Sequence, residues 1–441
     1  MAFDIQSTTE RLESVAGLAL IGEVSRIAGI NTLAGSRRSL NNALVSMFGL
    51  LAQGRSTYEE IDLYRNNDLF AQSLGLSFVP AQETLRLYLE KLSDESNLQE
   101  RIRSCNNAIL AHETITPIEI AGRKYIPVDV DVSTMDNTGS HKEGVSRTYM
   151  RTDGYSPIFS YIGTEGYMLD CELRPGSQHC QKGTPEFLRR NLKQIKKLPI
   201  PHPLLFRMDG GNDAIETIKA LSKTEDTSPF FIIKRNLRRE SLLYWYELAL
   251  TLGEKRTYRP GKDVYTGVVT KGHPHADIDM PEFDIVFQVT ERTIDRDGNC
   301  LLVSDIEVET WWTNMYETPE SVIALYHDHG TSEQFHSELK SDMGVERLPS
   351  GKMKVNALVL SLAMTAFNTL RLIGQRALKQ SALLPMKTTA ARKRLRKVIS
   401  DLICIGCKVV RHGRRWILRI NEKNPWLPMF NEIYAELLLQ Q

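Results

Sequence analysis

The segment 124–134 reads KYIPVDVDVST, and its alternation constrains the fold more than any other stretch. A period of two puts Val128, Val130 and Val132 on one face of a strand and Asp129 and Asp131 on the other. Two carboxylates on a strand otherwise made of valine are costly to bury unless something neutralises them. A divalent cation would do so; an edge strand with one wet face would avoid the cost. The segments that follow extend the pattern. SPIFSYIG and YMLDCEL read as strands joined by a turn through Gly163 to Gly166. TPEFLRRNLKQIKKL reads as a helix with Thr184 as cap and Pro185 at its first position. LLFRMDGG is a strand that ends at Asp209, NDAIETIKALS a helix, and SPFFIIKRN a further strand. Strand, strand, strand, helix, strand, helix, strand describes an α/β chain, a mixed sheet flanked by helices. A carboxylate where a strand gives way to two glycines, as at Asp209, is a common position for a ligand-binding group in such sheets.

From about Leu237 to Thr310 the pattern is strand-rich. DIVFQVTERTI and NCLLVSDIEVETWW flank the turn signal Asp297-Gly298, which predicts an inserted β-rich subdomain. Residues 1 to about 115 predict helices. Ser56 is a plausible cap for TYEEIDLYRN. One helix stops near Gly75, and another starts at Pro80 with Leu85, Leu89 and Leu92 on one face. Two helices about a short turn fit a helix-turn-helix, with Gln82, Glu83 and Arg86 where base-reading residues sit; an ordinary helical hairpin fits as well. NALVLSLAMTAFNTLRLI predicts a buried helix interrupted by Asn356 and Asn368, and CKVVRHGRRWILRI a hairpin around Gly413.

The formal net charge is +1, yet 15 Lys/Arg and only Asp401 and Glu422 lie between Arg371 and Lys423. That asymmetry suggests a polyanion-binding segment. No stretch is apolar enough for long enough to span a bilayer, and the N-terminus lacks the pattern of a secretory signal. Six scattered cysteines fit a reducing cytoplasm. Cys404 and Cys407 form a CxxC without a second ligand pair, so they read as core residues and not as a zinc site.

The stretch Tyr326–Lys340 reads YHDHGTSEQFHSELK. A helix is expected to end near Gly330 and a new one to start at Thr331, with Gln334 completing a capping box. Glu333, Ser337 and Lys340 then share one face, while Phe335 and Leu339 form an apolar stripe beside it. A solvated charged face is the simplest account of this stretch taken alone.

The stretch also resembles the Y-x2-R-x3-E-x6-K signature of bacterial insertion-sequence transposases with an aspartate–aspartate–glutamate (DDE) triad. Tyr326, Glu333 and Lys340 match in type and spacing, and His329 stands where that signature has Arg. The resemblance covers residues from about 120 to 375. It implies a ribonuclease-H-like sheet with the first aspartate at the end of the first strand, the second at the end of the fourth, and a β-rich insertion before the glutamate. Asp131, followed by Val-Ser-Thr, matches the first position better than Asp129; Asp209 matches the second. Asp131, Asp209 and Glu333 are thereby the expected catalytic residues and metal ligands. They would hold two Mg²⁺ ions, with Mn²⁺ as a substitute, one activating a nucleophilic oxygen and one holding the leaving oxygen. Lys340 and His329 are expected at DNA phosphates and Tyr326 near them, with Arg392, Lys393, Arg394 and Arg396 on DNA as well.

The expected organisation is a helical DNA-binding domain over 1–117, a catalytic domain over 118–375 with its insertion at 237–310, and a basic segment over 376–441. The implied partners are double-stranded DNA, as the element's inverted repeats and as target, and a second copy of the chain in a paired-end complex. A bacterial cytoplasmic, nucleoid-associated protein that needs no membrane is implied. A ribonuclease-H-like nuclease without strand transfer, or a domesticated DNA-binding protein, are the alternatives; the presence of all three carboxylates argues against the last.

Overall fold

The alternating segment is a central strand, β1 (Arg123–Val132), of a mixed sheet in the computed structural model, which describes residues 3–222, 228–238, 240–273, 275 and 282–440. The sheet continues with β2 (Ile158–Ile162), β3 (Tyr167–Glu172), β4 (Leu204–Met208) and β5 (Phe230–Lys234). β1, β2 and β3 run antiparallel, and β4 pairs parallel with both β1 and β5. Asp131 near the end of the first strand and Asp209 just after the fourth are therefore carried on neighbouring, co-directional strands. This is the mixed, helix-flanked sheet expected from the sequence.

The strand-rich region differs from expectation in two ways. β6 (Glu254–Arg259), β7 (Lys262–Lys271), β8 (Phe283–Ile294) and β9 (Cys300–Thr313) form an antiparallel meander. β9 pairs with β5, Ile232 opposite Thr313, so the insertion prolongs the core sheet and does not stand apart from it. The region also opens with a helix, Leu242–Leu252, where only strands were expected. Its sequence LLYWYELALTL alternates only from Tyr246 onward, and Trp245 and Ala249, four residues apart, are its buried residues, as a helix requires.

The helices cover both faces. In chain order they are α1 (Leu18–Ile27), α2 (Arg38–Leu51), α3 (Asp68–Ser73), α4 (Gln82–Ser93), α5 (Leu98–Ala111), α6 (Thr184–Ile195), α7 (Ile215–Ser222), α8 (Leu242–Leu252), α9 (Pro319–His327), α10 (Ser332–Ser337) and α11 (Met353–Lys379). Val128 and Val130 pack with Phe187 and Leu188 of α6 and Ile218 of α7, which makes the valine face one of the two main cores. The other core gathers α1, α2, α4, α10 and α11 with residues up to Leu437. On α4, Leu85, Leu89 and Leu92 are buried as expected, while Arg86 is tied to Glu83 and Glu90 of its own helix. Ser56 does not cap a helix; its Oγ donates to the Gly344 carbonyl.

α11 is long and apolar enough to cross a membrane, but 94% of its apolar window is buried inside the protein. A helix apolar all round is a core helix when other elements surround it. The two asparagines that interrupt it explain the choice. Asn356 Nδ2 donates to the Ser350 carbonyl at 2.8 Å and its Oδ1 accepts from Ser350 N at 2.9 Å. Asn368 Oδ1 accepts from Met168 N on β3 at 2.8 Å, and its Nδ2 donates to the Asn106 amide oxygen at 2.7 Å. Each is a buried polar group whose partners lie on other elements, so each fixes the helix against the fold.

Candidate active site

Two residues apart on β1, Asp129 and Asp131 meet different surroundings. The parallel register sets Asp129 directly beside Arg207 of β4. The guanidinium clasps the carboxylate through Nε at 2.6 Å and Nη2 at 2.8 Å, and His329 Nδ1 lies 2.9 Å from the same carboxylate. Arg207 Nη1 donates to the Leu325 carbonyl and to Asp328. Burial works against the charge, yet the Arg207 and His329 charges hold the Asp129 carboxyl down at about 2. The group that neutralises Asp129 is thus an arginine from the next strand.

This cluster also places His329. Its imidazole is buried and turned to Asp129, and it does not stand open for a phosphate. Burial opposes its protonation, but the adjacent Asp129 carboxylate outweighs that and raises its pKa. One helix ends and another starts near Gly330 as expected, α9 at His327 and α10 at Ser332, but a 3-10 turn, Asp328–Thr331, keeps the chain on a right-handed helical path between them. Thr331 makes no cap; its hydroxyl donates back to the Asp328 carbonyl. The anchors on Leu325, Asp328 and His329 hold this turn to β1 and β4.

Asp131 is left for other work. Its Oδ2 lies 3.2 Å from His336 Nε2, and the other ring nitrogen of His336 is 3.1 Å from the Tyr161 hydroxyl. Burial would raise the Asp131 carboxyl; the His336 bond and charge outweigh it and lower the pKa. Asp209 begins a 3-10 turn, where its Oδ1 accepts from Gly211 N at 3.1 Å and Asn212 Nδ2 at 2.9 Å. Its carboxyl is pushed up, first by the surrounding protein and then by the negative charge of Asp131. Two carboxylates within electrostatic reach, with no cation at both, is the arrangement a metal relieves.

Glu333 and Lys340 line one depression of about 420 Å³ with Asp131, Ser337 and Tyr149, as the helical spacing requires. Lys340 Nζ donates to Ser133 Oγ at 2.6 Å and to the Thr134 carbonyl, just beyond Asp131 on the same strand. Burial lowers its pKa. Asp209 lines the adjoining depression of about 480 Å³, which shares Val132 and Tyr149 with the first. Tyr326 is half-buried with its ring 5.6 Å from Trp311 and 5.9 Å from His329.

The start of the basic segment is committed inside the molecule, whereas Lys387, Lys397, Arg411, Arg414, Arg415, Arg419 and Lys423 are exposed without an ion pair among the described residues. Arg392 reaches Glu338 at 3.0 Å and Gln334 at 2.8 Å, Lys393 reaches Asp401 at 2.7 Å, and Arg394 holds Asp342 through two bonds of 2.8 and 2.9 Å. Only Arg396 of the four is exposed without an ion pair among the described residues. The hairpin about Gly413 forms as expected, Cys407–His412 with Arg415–Ile420, and Cys404 is exposed while Cys407 is buried.

Sequence reasoning missed Arg207 and His336. A lone arginine in the apolar strand LLFRM was the available signal for the first. For the second it was a histidine three residues after Glu333 on the side of Phe335. The donor set suits a hard divalent cation: Asp131 and Asp209 offer carboxylate oxygens and repel each other. Among the described residues no three His, Cys, Asp or Glu side chains gather at metal-binding distance; Glu333 shares its depression with Asp131, and Asp209 lines the adjoining one.

Residues 4–243 and 294–441 match the family model described as Transposase DDE domain group 1. The unmatched stretch is most of α8 with β6, β7 and most of β8. Among solved structures, the cryo-EM piggyBac transposase synaptic complex with hairpin DNA is similar at a TM-score of 0.43 and 11% identity, covering 89% of this chain and 81% of that one. No curated protein matches.

Proposed function

Because the chain belongs to the family of DDE transposase domains of group 1 and is therefore a DNA transposase, we propose that Asp131, Asp209 and Glu333 are its reacting carboxylates. The observation that carries this assignment is the electrostatic opposition of Asp131 and Asp209 at the ends of adjacent parallel strands, beside the depression that Glu333 and Lys340 line. Asp129, two residues away, is excluded from the role because Arg207 and His329 already occupy its oxygens.

Divalent metal ions serve this family, and Mg²⁺, with Mn²⁺ as substitute, is our assignment for this chain. Asp131 and Asp209 would hold the ion and Glu333 would join them. Bound there, the ion supplies Lewis-acid activation of the nucleophile and charge stabilisation of the leaving oxygen. The chain's own residues do the rest. His336 holds Asp131 in one orientation. Lys340, tethered beside Ser133, presents positive charge where a backbone phosphate would approach. Tyr326 stacks next to that path, and Arg396 adds a contact farther out. His329 supports the floor through Asp129 and does not touch DNA.

In this reading the protein binds the inverted ends of a bacterial insertion sequence as a homodimer at the nucleoid. It cuts there and joins the 3′ ends to target DNA, with the N-terminal helices contributing to end binding. A supercoiled plasmid carrying candidate ends tests it: wild type with Mg²⁺ should give insertion products, whereas cleavage without joining would reduce the function to a nuclease. Glu333→Gln should abolish cutting and leave end binding intact, and near-normal cutting by that variant would overturn the carboxylate assignment.

A further inference from the structure

At the β3 edge of the sheet, α5 and α6 enclose a groove of about 630 Å³. Six Lys/Arg side chains line it with two glutamates; Arg190 is held by Asp170 and Glu172 and Arg189 by Glu186, in a protein whose formal net charge is +1. Arg189, Lys193 and Lys197 follow one another at intervals of four residues, all exposed, along α6 and its C-terminal extension. Eight residues of helix rise about 12 Å. Arg103 faces them from α5, half-buried.

The floor of the groove is polar and unsatisfied. Gln194 is 6% exposed, and neither its amide nitrogen nor its amide oxygen has a partner. Asn107 is 7% exposed, and its amide oxygen is likewise unpaired. A buried amide without partners is costly, so native proteins pair such groups with water or a ligand. An amide donor beneath a rim of cations is complementary to phosphate oxygens.

We propose that the α5–α6 groove is a second DNA-contact surface that grips the phosphodiester backbone of duplex DNA away from the reacting carboxylates. It rests on the transposase reading for its choice of polyanion. The placement favours duplex over a small phosphate, because the cations are spread along a line and not converged on one point. α6 starts next to the Asp209 turn, since Thr184 Oγ1 donates to the Cys180 carbonyl and Cys180 contacts the Gly211 carbonyl. From there the helix leads away, so the groove would carry DNA that extends past the cut.

The full chain is titrated with an arbitrary-sequence 30-bp duplex at several salt concentrations, as wild type and as Lys193→Ala/Lys197→Ala. Each phosphate neutralised contributes about 0.9 to the slope of log affinity against log salt. The double variant should flatten the slope by about 1.8. Gln194→Met, which keeps the volume and removes the orphaned amide, should weaken binding without lowering the melting temperature. An unchanged slope and affinity in both variants overturns the proposal. So does stoichiometric binding of inorganic triphosphate that the double variant loses while its duplex slope stays intact, because the groove would then be a small-anion site. Plasmid cleavage by wild type in parallel separates the two failures: cutting with an unchanged slope sinks the groove and leaves the transposase reading standing.

Discussion

The C-terminal basic segment and the α5–α6 groove invert each other. The first is dense in positive charge along the sequence, and the part of it nearest the catalytic helices is spent in the fold. Arg392 and Arg371 share the buried Glu338, Arg394 holds Asp342, and Lys393 holds Asp401. The second is inconspicuous in the sequence, because its cations come from two helices more than 70 positions apart; Arg190 there is held by Asp170 and Glu172 and Arg189 by Glu186, while Lys193 and Lys197 stand exposed at its rim. Positive residues counted along a chain measure supply; what reaches a polyanion is the part left after internal pairing. The same contrast recurs two residues apart on β1, where Asp129 is spent on Arg207 and Asp131 is not.

The largest test of this contrast is Glu338→Ala. Arg371 is fully buried, and its pKa is already lowered by that burial, with Glu338 holding it up. Removing one partner of a buried ion pair costs about 3–5 kcal/mol. A urea-unfolding loss below about 1 kcal/mol would mean that the segment's charges are not structurally committed.

Next in size is the pH dependence of the Asp129 cluster. The His329 pKa is raised, so its contribution to stability is complete below the unfolded value near 6.5 and is lost as pH rises through the folded value. Asp129 is depressed to about 2, so its contribution is complete above about 4 and is lost as pH falls toward 2. Urea midpoints measured across pH should therefore fall at both ends. His329→Gln should cost about 1–3 kcal/mol near pH 6 and abolish the alkaline fall. A wild-type midpoint that stays level from pH 6 to 9 would contradict the cluster's charge state.

Arg394→Ala should cost less, about 1–2 kcal/mol, because water replaces part of the bond to Asp342 at this half-exposed position. It should leave the salt slope for duplex binding unchanged. Arg396→Ala is the smallest and sharpest comparison: a stability change within about 0.5 kcal/mol, but a slope reduced by about 0.9. Equal slope changes for Arg394→Ala and Arg396→Ala would erase the distinction between spent and available charge.

What the sequence disclosed was what short-range periodicity encodes. The alternation of 124–134, the strand that stops at Asp209, and the shared face of Glu333, Ser337 and Lys340 are all set within a few residues, and all are present. What it hid depends on distant partners. Arg207 is 78 positions from Asp129, and only the parallel register brings them together. Gly330 marked the helix boundary, but the 3-10 turn that carries the chain across it is held by β1 and β4, which are remote in sequence. The strand-rich insertion was legible as strands, but its attachment to β5 was not, since edge pairing leaves no mark in either strand's own pattern.

The sharing of one core by the two ends of the chain has a consequence for synthesis. Leu12 pairs with Lys408, Ala16 N donates to the Ile405 carbonyl, and α1 packs against the helix Leu427–Leu438. Closing a contact between residues nearly 400 positions apart carries a large chain-entropy cost, and it cannot begin until the later residue has been made. The first helices therefore wait, incompletely packed, through most of translation. A ribosome-bound chain stalled before residue 400 should leave α1 and α2 open to protease, and release of the finished chain should close them.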